Sequence, residues 1–339
     1  MDAVLQTMVD EKIGPGERRK EFLKLFAAYL SLKDGVSERS YPGALTLALK
    51  AAGVKEGDKI IASVLSPEIY RVVAENLGAS LILADISPES GCMSEEAIAR
   101  AFEKGGSIIL LHEPVCQLPV GLENIKELGL PVIEDITQSF GSRVEEDGDN
   151  GEKIITAFPG RIGDYVVCAF EEDCIISTGG GAAVLARKEE RIDALKKLAS
   201  QMSPYNDLPD MNAALGIIQL GTIDSLLQRR NELYKMFMQA VMKTENKVFG
   251  LKSVDFLSNG FVFPVIVNGR TEDSIAFANK YDVSCRRTFT KSVGIHYQER
   301  FDLYPNAVAA LNRGLSFPLY PFLQQKDIEA LTKVLSHLV

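Results

Sequence analysis

The feature that leaves fewest folds open is a set of four uninterrupted apolar runs in the first 136 residues. They are "DKIIASVL" from Asp58, "SLILADI" from Ser80, "SIILLHEP" from Ser107 and "LPVIEDI" from Leu130. None alternates apolar with polar residues, so each reads as a strand buried on both faces. The segments between them have helical spacing. "IYRVVAENLGA" separates the first two, and "MSEEAIARAFEKG" the next two, with Ser94 as a helix start and Gly105 as a stop. Upstream, "ERRKEFLKLFAAYLSLK" places Phe22, Leu23, Phe26 and Leu30 on one helical face, and "ALTLALKAAGV" ends at Gly53. Strands and helices in alternation predict a mostly parallel sheet covered on both faces, an α/β fold.

Ligands of such sheets bind at the carboxyl ends of the strands. That rule selects Ser63 to Pro67, His112 to Gln117, Asp135 to Gln138 and Cys174 to Gly181 as candidate site segments. Further along, "GLENIKELG" predicts a short helix and the acidic "VEEDGDNGEK" a solvated loop. A long helical stretch follows from Met211 to Lys243, then strand "GFVFPVIV" and helices "RTEDSIAFANKYD" and "KDIEALTKVLSHLV". The expected organisation is a large α/β domain, residues 1–225, and a small C-terminal α/β domain, residues 226–339.

Bulk properties exclude several classes. A net charge of -9 leaves no basic footprint for nucleic acid or an anionic membrane. The first residues lack a signal-peptide core, and no run approaches the roughly 18 apolar residues of a membrane span. The five cysteines lack CxxC spacing and there are only three histidines, which argues for reduced thiols in a cytoplasmic protein and against a zinc site.

Three motifs bear on chemistry. "VIEDITQSFG" puts Asp135 at a strand end, either as a solvated carboxylate or as the permanent anion that keeps a pyridinium nitrogen protonated. "ISTGGGAAV" loosely matches a dinucleotide-binding turn, but no acidic strand end follows about twenty residues later to hold a ribose. Cys174 follows Glu171, Glu172 and Asp173, whose charges disfavour the thiolate that a nucleophile needs.

Taken in order, "GPGERRKEFLKLFAAYL", "GVKEGDKII", "GASLILADI", "VIEDITQSFGS", "RIGDYVVCAF", "MNAALGIIQLGTIDSLLQRR" and "LSFPLYPFLQQKDIEAL" resemble the DegT/DnrJ-type aminotransferases, a family rich in nucleotide-sugar aminotransferases. The resemblance implies the fold-type-I architecture of pyridoxal-phosphate (PLP) enzymes: a three-layer α/β/α large domain with a mixed seven-stranded-type sheet, and a smaller α/β domain. It places Asp135 at the family's pyridinium-holding aspartate, Gln138 at its cofactor-contacting glutamine and His112 at its histidine one strand earlier. Ser177 joins these as a cofactor-binding candidate.

The same register shows departures. Cys174 stands where the family has the lysine that anchors the cofactor covalently, Ala169 replaces a serine, and Gly180 replaces a glutamate. In the phosphate turn, here "SYPGAL" from Ser40, Tyr41 replaces a glycine and Pro42 a threonine, which removes a backbone N–H. "LSP" at Leu65 to Pro67 replaces the aromatic over the ring. "YND" at Tyr205 to Asp207 puts an acid where the family has a base.

A thiol cannot form an imine or shuttle a proton as an amine does, so ordinary transamination is not expected. Two functions remain open. One is a pseudoenzyme with a binding, scaffold or regulatory role in sugar or polysaccharide metabolism. The other is a non-standard enzyme that uses non-covalent PLP or pyridoxamine phosphate (PMP) on a nucleotide-linked keto sugar. The resemblance implies a homodimer, or a heteromer with a lysine-bearing paralogue, and a nucleotide sugar as the candidate ligand. Asp135, Gln138, Cys174 and Ser177 are expected to line one pocket, with His112 close by.

Overall fold

The computed structural model describes residues 2–338 apart from 11, 123, 149, 151, 203, 251, 252 and 254. The four apolar runs become β2 (Lys59–Ser63), β3 (Ser80–Ala84), β4 (Ile108–His112) and β5 (Val132–Asp135). They join β1 (Asp34–Glu38), β8 (Tyr165–Ala169) and β9 (Ala182–Ala186) in one seven-stranded sheet of order β1-β9-β8-β5-β4-β2-β3. β2, β3, β4, β5 and β8 run parallel, whereas β9 is antiparallel to both β8 and β1.

Both faces of this sheet are covered, which explains the lack of polar alternation. In β4, Ile108 and Leu110 pack on one face while Ile109 and Leu111 pack on the other. In β8, Tyr165, Val167 and Ala169 face the first layer, and Val166 and Cys168 face the second. Helices Tyr41–Ala51, Ile69–Asn76 and Glu189–Gln201 supply the first layer. Glu17–Tyr29 supplies Phe22 and Phe26 to the second, where both rings meet Phe170 at a centroid distance of 5.1 Å. Each such buried side chain contributes about 1.5–3 kcal/mol.

Two small sheets complete the strands among the described residues. β6 (Arg143–Asp147) and β7 (Lys153–Ala157) form an antiparallel pair extended by β11 (Phe256–Leu257). β10 (Lys247–Val248), β12 (Phe263–Ile266), β14 (Gly314–Phe317) and β13 (Arg286–Arg287) form the other, in that order. Helices Ile223–Val241 and Gln325–Leu335 close a separate core over this four-stranded sheet.

Three sequence expectations change. Half of the acidic "loop" of residues 144–153 lies in the strand pair β6 and β7, because Val144, Ile154 and Ile155 supply enough β-branched character to pair; residues 149 and 151 lie outside the described residues. The expected long helix is broken at Gly221 and Thr222 into Asp210–Leu220 and Ile223–Val241. The short helix of residues 121–129 is one 3-10 turn, Ile125–Leu128, ended by Gly129 at φ 68°; residue 123 lies outside the described residues. The second fragment of the broken helix ties the two cores together: Ile223 and Leu227 pack against the large sheet, and Leu233, Tyr234 and Phe237 against the small one.

Candidate functional site

The parallel register sets His112 of β4 beside Asp135 of β5, and Asp135 beside Val167 of β8, at the carboxyl edge of the large sheet. Asp135 is wholly buried. Its Oδ1 accepts from the Thr137 backbone N–H at 3.0 Å and the Thr137 hydroxyl at 2.6 Å. Its Oδ2 accepts from the Tyr70 hydroxyl at 2.6 Å and from the Tyr41 hydroxyl. A carboxylate offers about four acceptor sites, so these bonds use its full capacity. Burial first, and then the Asp135 charge, push both phenols well above their usual range, so both stay protonated as donors.

Beside this cluster is a pocket of about 330 Å³ lined by Tyr41, His112, Gln138 and Cys174 from the large sheet's edge and by Thr288 and Lys291 from the segment after β13. Asp135 does not reach its wall. Ser177 does not reach it either: its backbone N–H donates to the Gln219 side chain at 3.0 Å, and its carbonyl accepts from the same amide. Of the five residues selected from sequence, the pocket therefore gathers His112, Gln138 and Cys174. It leaves Asp135 behind Tyr41 and Ser177 on another contact.

His112 is 2% exposed, and its Nδ1 has no partner among the described residues. Burial pushes its pKa down to about 4, so the imidazole is neutral, with Tyr70 edge-on at 5.9 Å. Gln138 serves the backbone: its Oε1 accepts from the Val115 N–H at 2.8 Å and its carbonyl from the Cys116 N–H at 3.0 Å. Val115 and Cys116 have φ of 42° and 70°, a left-handed pair that is strained at the β-branched Val115. Asn259 secures the same turn by donating to the carbonyls of Gln138 and Phe140, each at 2.9 Å. The Cys174 thiol is pushed up to about 12, first by burial and then by Asp173, so it is a neutral thiol and a poor nucleophile.

The turn before helix Tyr41–Ala51 is also occupied by the protein itself. Ser40 caps the helix, its hydroxyl accepting from the Gly43 N–H at 3.2 Å. The Glu38 side chain is folded over that first turn: Oε2 lies 3.2 Å from where a Cβ on Gly43 would stand. Glu38 is buried, and burial followed by the charge of Asp207 raises its pKa to about 7. Asp207 in turn pairs with Arg19 at 3.3 Å.

These residues do not fit PLP or PMP in the way the family resemblance implies. Asp135 has no acceptor left for a pyridinium, Cys174 offers no amine, and Pro42 and Glu38 replace a donor and add a carboxyl where a phosphate needs donors. Sequence reasoning registered Tyr41 as bulk and overlooked Tyr70, Thr137 and Glu38. The available signal was a tyrosine beside Val73 and Ala74 on a buried helix face, since a buried phenol needs a polar partner.

The comparisons with known proteins agree with the fold. Residues 1–336 match the model of the DegT/DnrJ/EryC1/StrS aminotransferase family. The spore coat polysaccharide biosynthesis protein SpsC of Bacillus subtilis (strain 168) is 24% identical, with 99% of this chain and 93% of that protein covered. The GDP-perosamine synthase of Vibrio cholerae is 22% identical, with 90% and 86% covered. Among solved structures, the PLP form of the putative sugar aminotransferase Spr1654 from Streptococcus pneumoniae superposes with a TM-score of 0.85 at 18% identity, covering 99% of this chain and 94% of that one. The same protein has been solved in a PMP form, with a TM-score of 0.84. With the sheet order, the strand-end aspartate and a match along nearly its whole length, the chain is a member of the DegT/DnrJ/EryC1/StrS aminotransferase family.

Proposed function

We propose that this chain is a family member that has left PLP-dependent transamination and acts as a ligand-binding or regulatory protein in sugar or polysaccharide metabolism. One observation carries the reading: the Tyr41 hydroxyl sits on Asp135, the carboxylate that would hold a pyridinium. Cys174 in the lysine position acts in the same direction, because a neutral thiol can neither form an imine nor relay the α-proton. The pocket beside Tyr41 offers a ligand the unpartnered His112 imidazole and the Gln138 amide, with Arg286, Thr288 and Lys291 among its other polar lining groups. A neutral imidazole both donates and accepts, which suits the hydroxyls of a sugar. The names of the relatives, a GDP-perosamine synthase and a polysaccharide biosynthesis protein, support the same ligand class. We place the protein in a homodimer, with a heteromer containing a lysine-bearing paralogue as the other assembly.

The second reading is an enzyme that uses PLP or PMP non-covalently on a nucleotide-linked keto sugar. The preserved Asp135 and Gln138 favour it, but it requires Tyr41 to leave Asp135. Calorimetric titration of the purified protein with PMP and PLP, with Asp135→Ala alongside, separates the two. The first reading predicts no saturable binding at millimolar ligand. Saturable binding weakened by Asp135→Ala would establish the second.

A further inference from the structure

We propose that the chain carries its own substitutes for both ends of the cofactor: the Tyr41 phenol replaces the pyridinium on Asp135, and the Glu38 carboxyl replaces the phosphate over the first turn of helix Tyr41–Ala51. The proposal rests on the reading above that the site takes no cofactor, and it goes further by saying what fills the vacated interactions.

The two residues flank one turn of chain, Glu38 at the end of β1 and Tyr41 at the start of the helix. A cofactor site without its ligand leaves two demands. One is a buried carboxylate without its cation, and the other is a helix start whose N–H groups lack an acceptor. Here the first is met and the second is reduced. Asp135 receives two phenols and the two Thr137 donors. At the helix start, Ser40 takes the Gly43 N–H, Pro42 has none to give, and the Glu38 carboxyl lies over the same turn. Asp207, on the neighbouring segment, adds a second carboxyl near Glu38 and is itself paired with Arg19 at 3.3 Å. Tyr41 thus completes the shell of Asp135, and Glu38 fills the space over the helix start that a phosphate would take.

The test uses PMP and its phosphate-free counterpart pyridoxamine, which report on the two ends separately and form no aldehyde adducts with surface lysines. Wild type, Tyr41→Gly, Glu38→Gln and the double variant are titrated by calorimetry, each first shown to melt cooperatively. Tyr41→Ala replaces Tyr41→Gly if the glycine prevents folding. Tyr41→Gly is expected to gain binding of both probes, since it frees Asp135, and Glu38→Gln alone is expected to gain neither. The double variant is expected to prefer PMP over pyridoxamine by about tenfold or more, the worth of charge-assisted bonds to phosphate. A folded double variant that binds neither probe, or binds both equally, overturns the proposal while leaving the proposed function standing. Saturable binding of PMP by wild type overturns both.

Discussion

The Tyr70 hydroxyl lies 2.6 Å from Oδ2 of Asp135, inside a core where both residues are wholly buried. It shares that oxygen with Tyr41, so the carboxylate expected to face a ligand is instead the centre of a closed cluster. Tyr70→Phe keeps the ring and removes one donor. The variant is expected to lose about 1.5–3 kcal/mol of stability, the range for hydrogen bonds to charged groups. Chemical denaturation checks it, and an unchanged midpoint would mean that the phenol is not bonded to Asp135.

Glu113 and Glu134 form a buried acidic pair. Glu134 accepts from the N–H groups of Gly160 and Ile162, at 2.7 and 2.8 Å, and of Gly163. Glu113 accepts from the Ser139 hydroxyl, and burial first, then Glu134, raise its pKa well above the usual carboxylate range. The folded state therefore holds a proton that the unfolded chain releases near pH ~4.3. The stabilisation is complete below that pH and is lost as the pH rises toward the raised folded pKa. Glu113→Gln removes the titration. Denaturant midpoints at pH 5 and pH 8 are expected to differ less in the variant than in wild type. Parallel profiles would assign the pH dependence to other groups.

Asn259 joins the segment before β12 to the turn that Gln138 holds. Asn259→Ala removes the bonds to the Gln138 and Phe140 carbonyls and frees the strained Val115–Cys116 pair. The expected cost is about 1–3 kcal/mol, because the Phe140 carbonyl loses its donor and the Gln138 carbonyl keeps only the Cys116 N–H. Faster amide exchange at Val115 and Cys116 than in wild type would confirm that the strain is held from this side, and unchanged exchange would oppose it.

Restoring the amine alone is not expected to restore the chemistry. Cys174→Lys incubated with PLP and then reduced with borohydride should show no stoichiometric mass increase at Lys-for-Cys position 174, because Tyr41 still occupies Asp135. The same substitution in a Tyr41→Gly background should gain the adduct. Equal labelling in both backgrounds would show that Tyr41 does not close the site.

Much of the fold could be read from the chain because burial leaves a linear trace. Ile108 to Leu111 are apolar on both faces since both faces are packed, and Ser94 and Gly105 mark their helix as local chemistry requires. β1 left no such trace: Asp34–Glu38 carries an acid at each end and pairs with β9, nearly 150 residues away. The site shows the same division. His112 and Asp135 fall at strand ends, so their proximity follows from a parallel register. The bond from Tyr41 to Asp135 depends on where one helix start meets the sheet edge, and no local pattern encodes it. Ser177 fell in a promising glycine-rich segment, yet its backbone was claimed by Gln219, 42 positions on.

A crystal structure grown in millimolar PMP tests the central claim most directly. The account predicts the Tyr41 hydroxyl on Asp135 with no pyridine ring beside it, and Glu38 over the first turn of helix Tyr41–Ala51. A ring nitrogen within hydrogen-bonding distance of Asp135, with Tyr41 swung away, would contradict it.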